Sequence, residues 1–137
     1  SDGVNAYDWA SWMAPGSEGE RTYRYLQGLL ALRRSSDAFR LGDRALASAN
    51  VTLLDGTRAY AIAYRVASTG PEAFHVFVNV GTTSAQLSTG ADLTSATPVV
   101  DDDEAGAGPV ASPSGYTLSA TAITLQPRTA VVLRTPN

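Results

Sequence analysis

Residues 17–41, SEGERTYRYLQGLLALRRSSDAFRL, are the one stretch of this 137-residue chain with a sustained helical period, and a long helix limits what the rest can be. Ser17 followed three residues later by Glu20 has the form of a capping box: the serine oxygen accepts from the Glu20 N–H and the carboxylate reaches back to Ser17. Tyr23, Leu26 and Leu30, then Tyr25, Leu29 and Leu32, recur at spacings of three and four, an apolar stripe wider than a coiled-coil seam. Such a helix must be covered along one broad side, and Tyr25, Leu26, Leu29 and Leu30 are expected to be shielded there. Arg33 and Arg34 suit the negative end of the helix dipole. Ser35, Ser36 and Asp37 then offer competing side-chain bonds, so the helix is expected over residues 17–35.

After the helix, residues 42–50 read as an alanine-rich polar connector, and from Val51 the period changes to two, which marks a boundary near residue 45. AYAIAYRV and AFHVFVNV, separated by the turn signal Thr69-Gly70-Pro71, read as two antiparallel strands sharing one buried face. Further short strands are expected at residues 83–87, 97–101, 115–118, 122–125 and 130–134, with Pro127 just before the last, where a missing N–H does least harm. About seven short strands argue an antiparallel β-sandwich over roughly residues 50–135, so the fold class is mainly β with one long helix before it. Tyr60, Tyr64, Phe74, Phe77 and Tyr116 all fall in strand-like runs and are assigned to the core.

Composition removes several classes of function. Hydrophobic residues are 44% and charged ones 17%, which excludes a disordered tail, and no apolar run reaches the ~20 residues of a membrane span. Net charge is −3 and all ten cations are arginines, which argues against a nucleic-acid partner. No phosphate loop, dinucleotide fingerprint or zinc spacing occurs, so no cofactor is expected. The start, Ser1-Asp2-Gly3, has no basic or apolar targeting region, and the sequence gives no address. Zero cysteines remove disulfides and thiol chemistry. Asp101, Asp102, Asp103 and Glu104 gather oxygen ligands without the alternating spacing of a calcium loop, so they read as a solvated acidic turn, with no metal assigned. His75, the one histidine, reads as an ordinary outward or half-buried sheet residue.

The run Ala31, Leu32, Arg33, Arg34, Ser35 and Phe39, followed by Arg40, resembles the end of the catalytic barrel in pullulanase-type starch-debranching enzymes of the α-amylase superfamily. Val4, Asn5, Asp8 and Trp9 resemble that family's Val-Asn-x-x-Asp-Trp run, which lies in the loop before the last barrel helix. The resemblance implies that residues 1–45 are the end of a (β/α)₈ barrel and residues 46–137 a C-terminal all-β domain. It implies a fragment of an α-1,6-glucosidase acting on pullulan, starch or glycogen branches, with its own catalytic barrel as partner and an α-glucan as the substrate of the whole enzyme. Glycoside hydrolysis needs two carboxylates flanking the bond, and the superfamily takes them from earlier strands, so no catalytic residue is assigned here. Asn5, Asp8 and Trp9 are the substrate-binding candidates, because loops after barrel strands form the active face. Asn5 and Asp8 can equally hold the loop through backbone bonds, and Trp9 and Trp12 can simply cover the start of the helix. Two other readings stay open: an independent carbohydrate-binding β-sandwich, and the same region of an isoamylase or α-amylase.

Overall fold

The structure, a computed structural model, describes residues 8–137. A short helix α1 (Trp9–Trp12) precedes the long α2 (Glu18–Ser35), a 3₁₀ turn (Asp37–Phe39) and α3 (Arg44–Asn50). Eight strands follow: β1 (Val51–Asp55), β2 (Ala61–Ala67), β3 (Glu72–Asn79), β4 (Ala85–Ser88), β5 (Thr97–Val100), β6 (Tyr116–Leu118), β7 (Ala122–Leu125) and β8 (Thr129–Pro136). They form a five-stranded sheet ordered β1-β2-β3-β8-β5 and a three-stranded sheet ordered β4-β7-β6, every pair antiparallel. The expected mainly β, antiparallel architecture with a long helix ahead of it is therefore present.

Two cores lie on opposite sides of the five-stranded sheet. Phe77, Ala63, Val131 and Leu133 meet Leu87, Ile123 and Leu125 of the smaller sheet. Phe74, Val76, Val66 and Val132 meet Leu32 of α2 and Ala38 of the 3₁₀ turn, and Phe39 lies with its ring 4.9 Å from that of Phe74. The expectation of one shared buried face is thus corrected: β3 is buried on both faces because a helix covers the second. Where the helix stops, the same face opens, and Ile62 and Val80 are exposed. Tyr60 is 69% exposed, against the core role expected of it, because it precedes β2 in the turn from β1 and falls beyond the sheet.

Helix α2 begins as its sequence dictates. Ser17 Oγ accepts from the Glu20 N–H at 3.1 Å, a cap of about 1 kcal/mol. The Glu20 carboxylate reaches one residue further back than the capping box predicts and accepts from the Gly16 N–H at 2.7 Å. The expected connector is partly helical instead: Asp43 Oδ1 accepts from the Ala45 and Leu46 N–H groups and so caps α3.

The docked side of α2 is narrower than its apolar stripe. Contact runs along Tyr25, Gly28 and Leu32, one line at spacings of three and four. At Gly28 the helix backbone lies so close to the Ala105 carbonyl that an added Cβ would stand 1.8 Å from its oxygen. The Tyr25 hydroxyl donates to the Asp101 carbonyl at 2.9 Å. Of the four residues expected to be shielded, only Tyr25 faces the β-domain. Leu26 and Leu30 are 54% and 52% exposed, and Tyr23 and Leu29 are exposed beside them.

Candidate functional site

Of the sequence-derived site residues, Asn5 lies outside the described residues. Asp8 caps α1, accepting the Ser11 N–H at 3.1 Å, and its hydrogen bonds with Ser11 hold the carboxyl below its usual range. Trp12 packs over the start of α2: a Cβ at Gly19 would fall 2.1 Å from its indole ring, and its carbonyl accepts the Ser17 hydroxyl at 2.6 Å. Trp9 stands edge-on to Trp12 with ring centroids 6.1 Å apart and is largely exposed. Asp8, Ser11, Trp12, Ser17, Glu18 and Gly19 line a shallow hollow of about 440 Å³. Covering the helix start therefore falls to Trp12, while Asp8 and Trp9 sit at the rim of an open surface.

The acidic run does a different job from the one expected. Asp101 is 0% exposed, not solvated. Its Oδ1 accepts the N–H groups of Asp103 and Glu104 at 3.1 and 2.8 Å, and its Oδ2 accepts that of Ser114 at 2.9 Å. One carboxylate thereby ties two loops together beneath the Tyr25 hydroxyl, so the clamp supports the docked helix. Asp102 and Asp103 are exposed, and Asp103 is pushed up by desolvation and next by the Asp101 charge. Gly115, at φ +82°, lets the second loop pass this cluster, since a Cβ there would lie 2.6 Å from Asp102 Cβ.

The other aspartates are occupied in the same manner. Asp37 accepts from the backbone N–H and hydroxyl of Thr69, Asp55 from Thr57 and the Ser88 N–H, and Asp92 from Thr94. These bonds hold all three carboxyls below their usual range. The Asp-x-Thr pattern at Asp55-Thr57 and Asp92-Thr94 is a sequence signal for such turns. Asn79 is buried at the end of β3, where the alternation of AFHVFVNV marks a strand but not this residue's bonds. Its amide donates to the Thr83 and Gln126 carbonyls and accepts from the Gly81 N–H, which ties the β3–β4 and β7–β8 connections together at one end of the sandwich.

His75 is buried more deeply than expected, at 4% exposure, with Nε2 3.0 Å from the Thr135 hydroxyl. Burial first, and the Arg65 guanidinium second, hold its imidazole below the ordinary value of 6.5. The folded chain then binds fewer protons than the unfolded one just below that value. Its stability is present above pH ~6.5 and is lost as pH falls toward the lowered pKa. Urea midpoints measured between about pH 7.5 and 5.5 should decline in the wild type and decline less in His75→Gln; equal slopes would reject this account.

A helix clamped onto a two-sheet antiparallel sandwich, with Asp8, Asp37, Asp43, Asp55, Asp92 and Asp101 engaged in caps and turns, defines an all-β domain with one long docked helix. Residues 54–136 match the family described as SpuA C-terminal, and the chain belongs to that family. Over 146 aligned residues and 98% of its length it is 31% identical to Pullulanase A of Streptococcus pneumoniae serotype 2 (strain D39 / NCTC 7466). It spans only 12% of that relative. Its fold matches the Group B Streptococcus pullulanase SAP at a TM-score of 0.85 and 28% identity, covering 98% of this chain and 19% of that one. The catalytic module of the multi-modular glycogen-degrading pneumococcal virulence factor SpuA also superposes at 0.85, with 30% identity over 98% of this chain and 21% of that one. The pullulanase resemblance read from the sequence is borne out. A mutant of the trehalulose synthase MutB shares the fold alone, at 0.54 and 17% identity over 87% of this chain and 20% of that one.

Proposed function

We propose that this chain is the C-terminal part of a pullulanase-type α-1,6-glucosidase acting on branches of pullulan, starch or glycogen, and that by itself it is structural and inactive. Residues 1–45 complete the catalytic barrel and residues 46–137 form the supporting sandwich. Asn5, Asp8 and Trp9 then belong to the barrel face that holds substrate. The observation carrying this reading is the outward side of α2. A helix pinned by Gly28 and Tyr25 on one side leaves Tyr23, Leu26 and Leu30 uncovered on another, which is the pattern of a helix shared between two bodies.

The test uses a Leu26→Glu, Leu30→Glu double variant in two settings. The isolated wild-type chain should self-associate in sedimentation and release no reducing sugar from pullulan, and the variant should be monomeric with unchanged helix content. In the longer parent the same pair should lower thermal stability by about 3 kcal/mol and pullulan hydrolysis with it. A parent indifferent to both glutamates would remove the barrel as the occupant of this face.

A further inference from the structure

The turn before β2 holds a feature that the supporting role does not use. The Tyr60 carbonyl accepts the Val80 N–H at 2.9 Å, and Gly81 passes so close that a Cβ there would lie 3.3 Å from Tyr60 Cβ. The backbone beneath the ring is therefore fixed while the ring itself is largely in solvent. Tyr60 and Arg58 line two adjoining hollows of about 300 and 280 Å³. The first is mixed in character, with Thr82, Ser84 and Gln86 among its walls; the second is mainly apolar, walled by Ile62 and Val80. Among the described residues, the Tyr60 hydroxyl and the Gln86 amide make no side-chain hydrogen bond, while the Arg58 charge acts on the nearby Asp55 carboxylate.

We propose that Tyr60, with Arg58 and Gln86, forms a surface subsite for a linear α-glucan chain. A sugar ring has an apolar face and a hydroxyl-bearing rim, and an exposed phenol beside amide and guanidinium donors complements both. The glucan assignment rests on the proposed parent activity; the location rests on the geometry alone. Such a subsite would hold substrate on the β-domain.

The experiment is a titration of the full chain with maltohexaose, followed by amide chemical shifts, with cellohexaose as comparison. Shifts should centre on residues 58–60 and 82–86 and saturate in the millimolar range; Tyr60→Ala should weaken binding about tenfold and Tyr60→Phe about twofold. The exposed position lets Tyr60→Ala fold, and Gln86→Ala gives a second variant with the same expected direction. Shifts located elsewhere, equal response to cellohexaose, or unchanged affinity in Tyr60→Ala would overturn the proposal. Hydrolysis of pullulan by the longer parent is scored separately: cleavage without binding here discards the subsite alone, and binding here without cleavage discards the hydrolase reading while supporting the subsite.

Discussion

Replacing Gly28 by leucine is expected to lift α2 off the sandwich. The added Cβ meets the Ala105 carbonyl oxygen at 1.8 Å and its carbon at 2.4 Å, far inside van der Waals contact, and both atoms are backbone. Two effects oppose each other, because a glycine inside a helix costs about 1 kcal/mol relative to alanine, so even Gly28→Ala should strengthen the isolated helix. The clash wins, since relief requires moving a loop that Asp101 clamps from three sides. We expect a loss of about 2–4 kcal/mol, hence a fall in Tm of about 6–12 °C, with helical circular dichroism retained. Hydrogen exchange at Leu32 should quicken at the same time. A Gly28→Ala chain as stable as wild type would show that α2 does not dock on this line.

Removing the Asp101 carboxylate should cost nearly as much. Asp101→Ala leaves the part-buried N–H groups of Asp103, Glu104 and Ser114 without their fully buried acceptor, a loss of about 3 kcal/mol. Asp101→Asn separates the two halves of the clamp. Its carbonyl oxygen can keep the bonds to Asp103 and Glu104, while its amide faces the Ser114 N–H, donor against donor, so about half the loss is expected. Urea unfolding gives the magnitudes, and amide exchange gives the location: Ser114 should quicken in both variants and Glu104 only in Asp101→Ala. Equal exchange at both amides in Asp101→Asn would show that the two oxygens are not divided as described.

The helix and the strands were legible because their signals are local. Ser17 and Glu20 fix a start, spacings of three and four fix a helix, and alternation from Ala73 to Val80 fixes a strand. Which side of the helix is buried was not legible. Hydrophobicity pointed to Leu26 and Leu30, but the seam runs through Gly28, where the missing side chain permits contact; a glycine between Gln27 and Leu29 reads only as a weak helix position. Charge misled in the same way at Asp101, since an acidic run looks solvated until its own N–H groups and that of Ser114, thirteen residues away, turn toward the carboxylate. For the candidate site, sequence placed Asp8 and Trp9 beside the helix entrance, and the structure adds that Asp8 serves as a cap. Tyr60 lay beyond reach, because strand-like neighbours on both sides hide the fact that the sheet ends beneath it.

The strand order sets the order of assembly. β8, the last of the eight strands, is not at an edge but sits between β3 and β5. The β1-β2-β3 meander can form as its residues emerge from the ribosome, yet β5 has no neighbour to join until β8 arrives, and Phe77 pairs with Val131 across 53 intervening residues of chain. Val132, which helps form the floor under α2, comes with that same strand. The platform for the helix is thus finished only when the polypeptide has been read through to β8. A chain that lacks β8 offers the helix an incomplete floor of Val66, Phe74 and Val76, so firm docking of α2 waits on the pairing of that last strand.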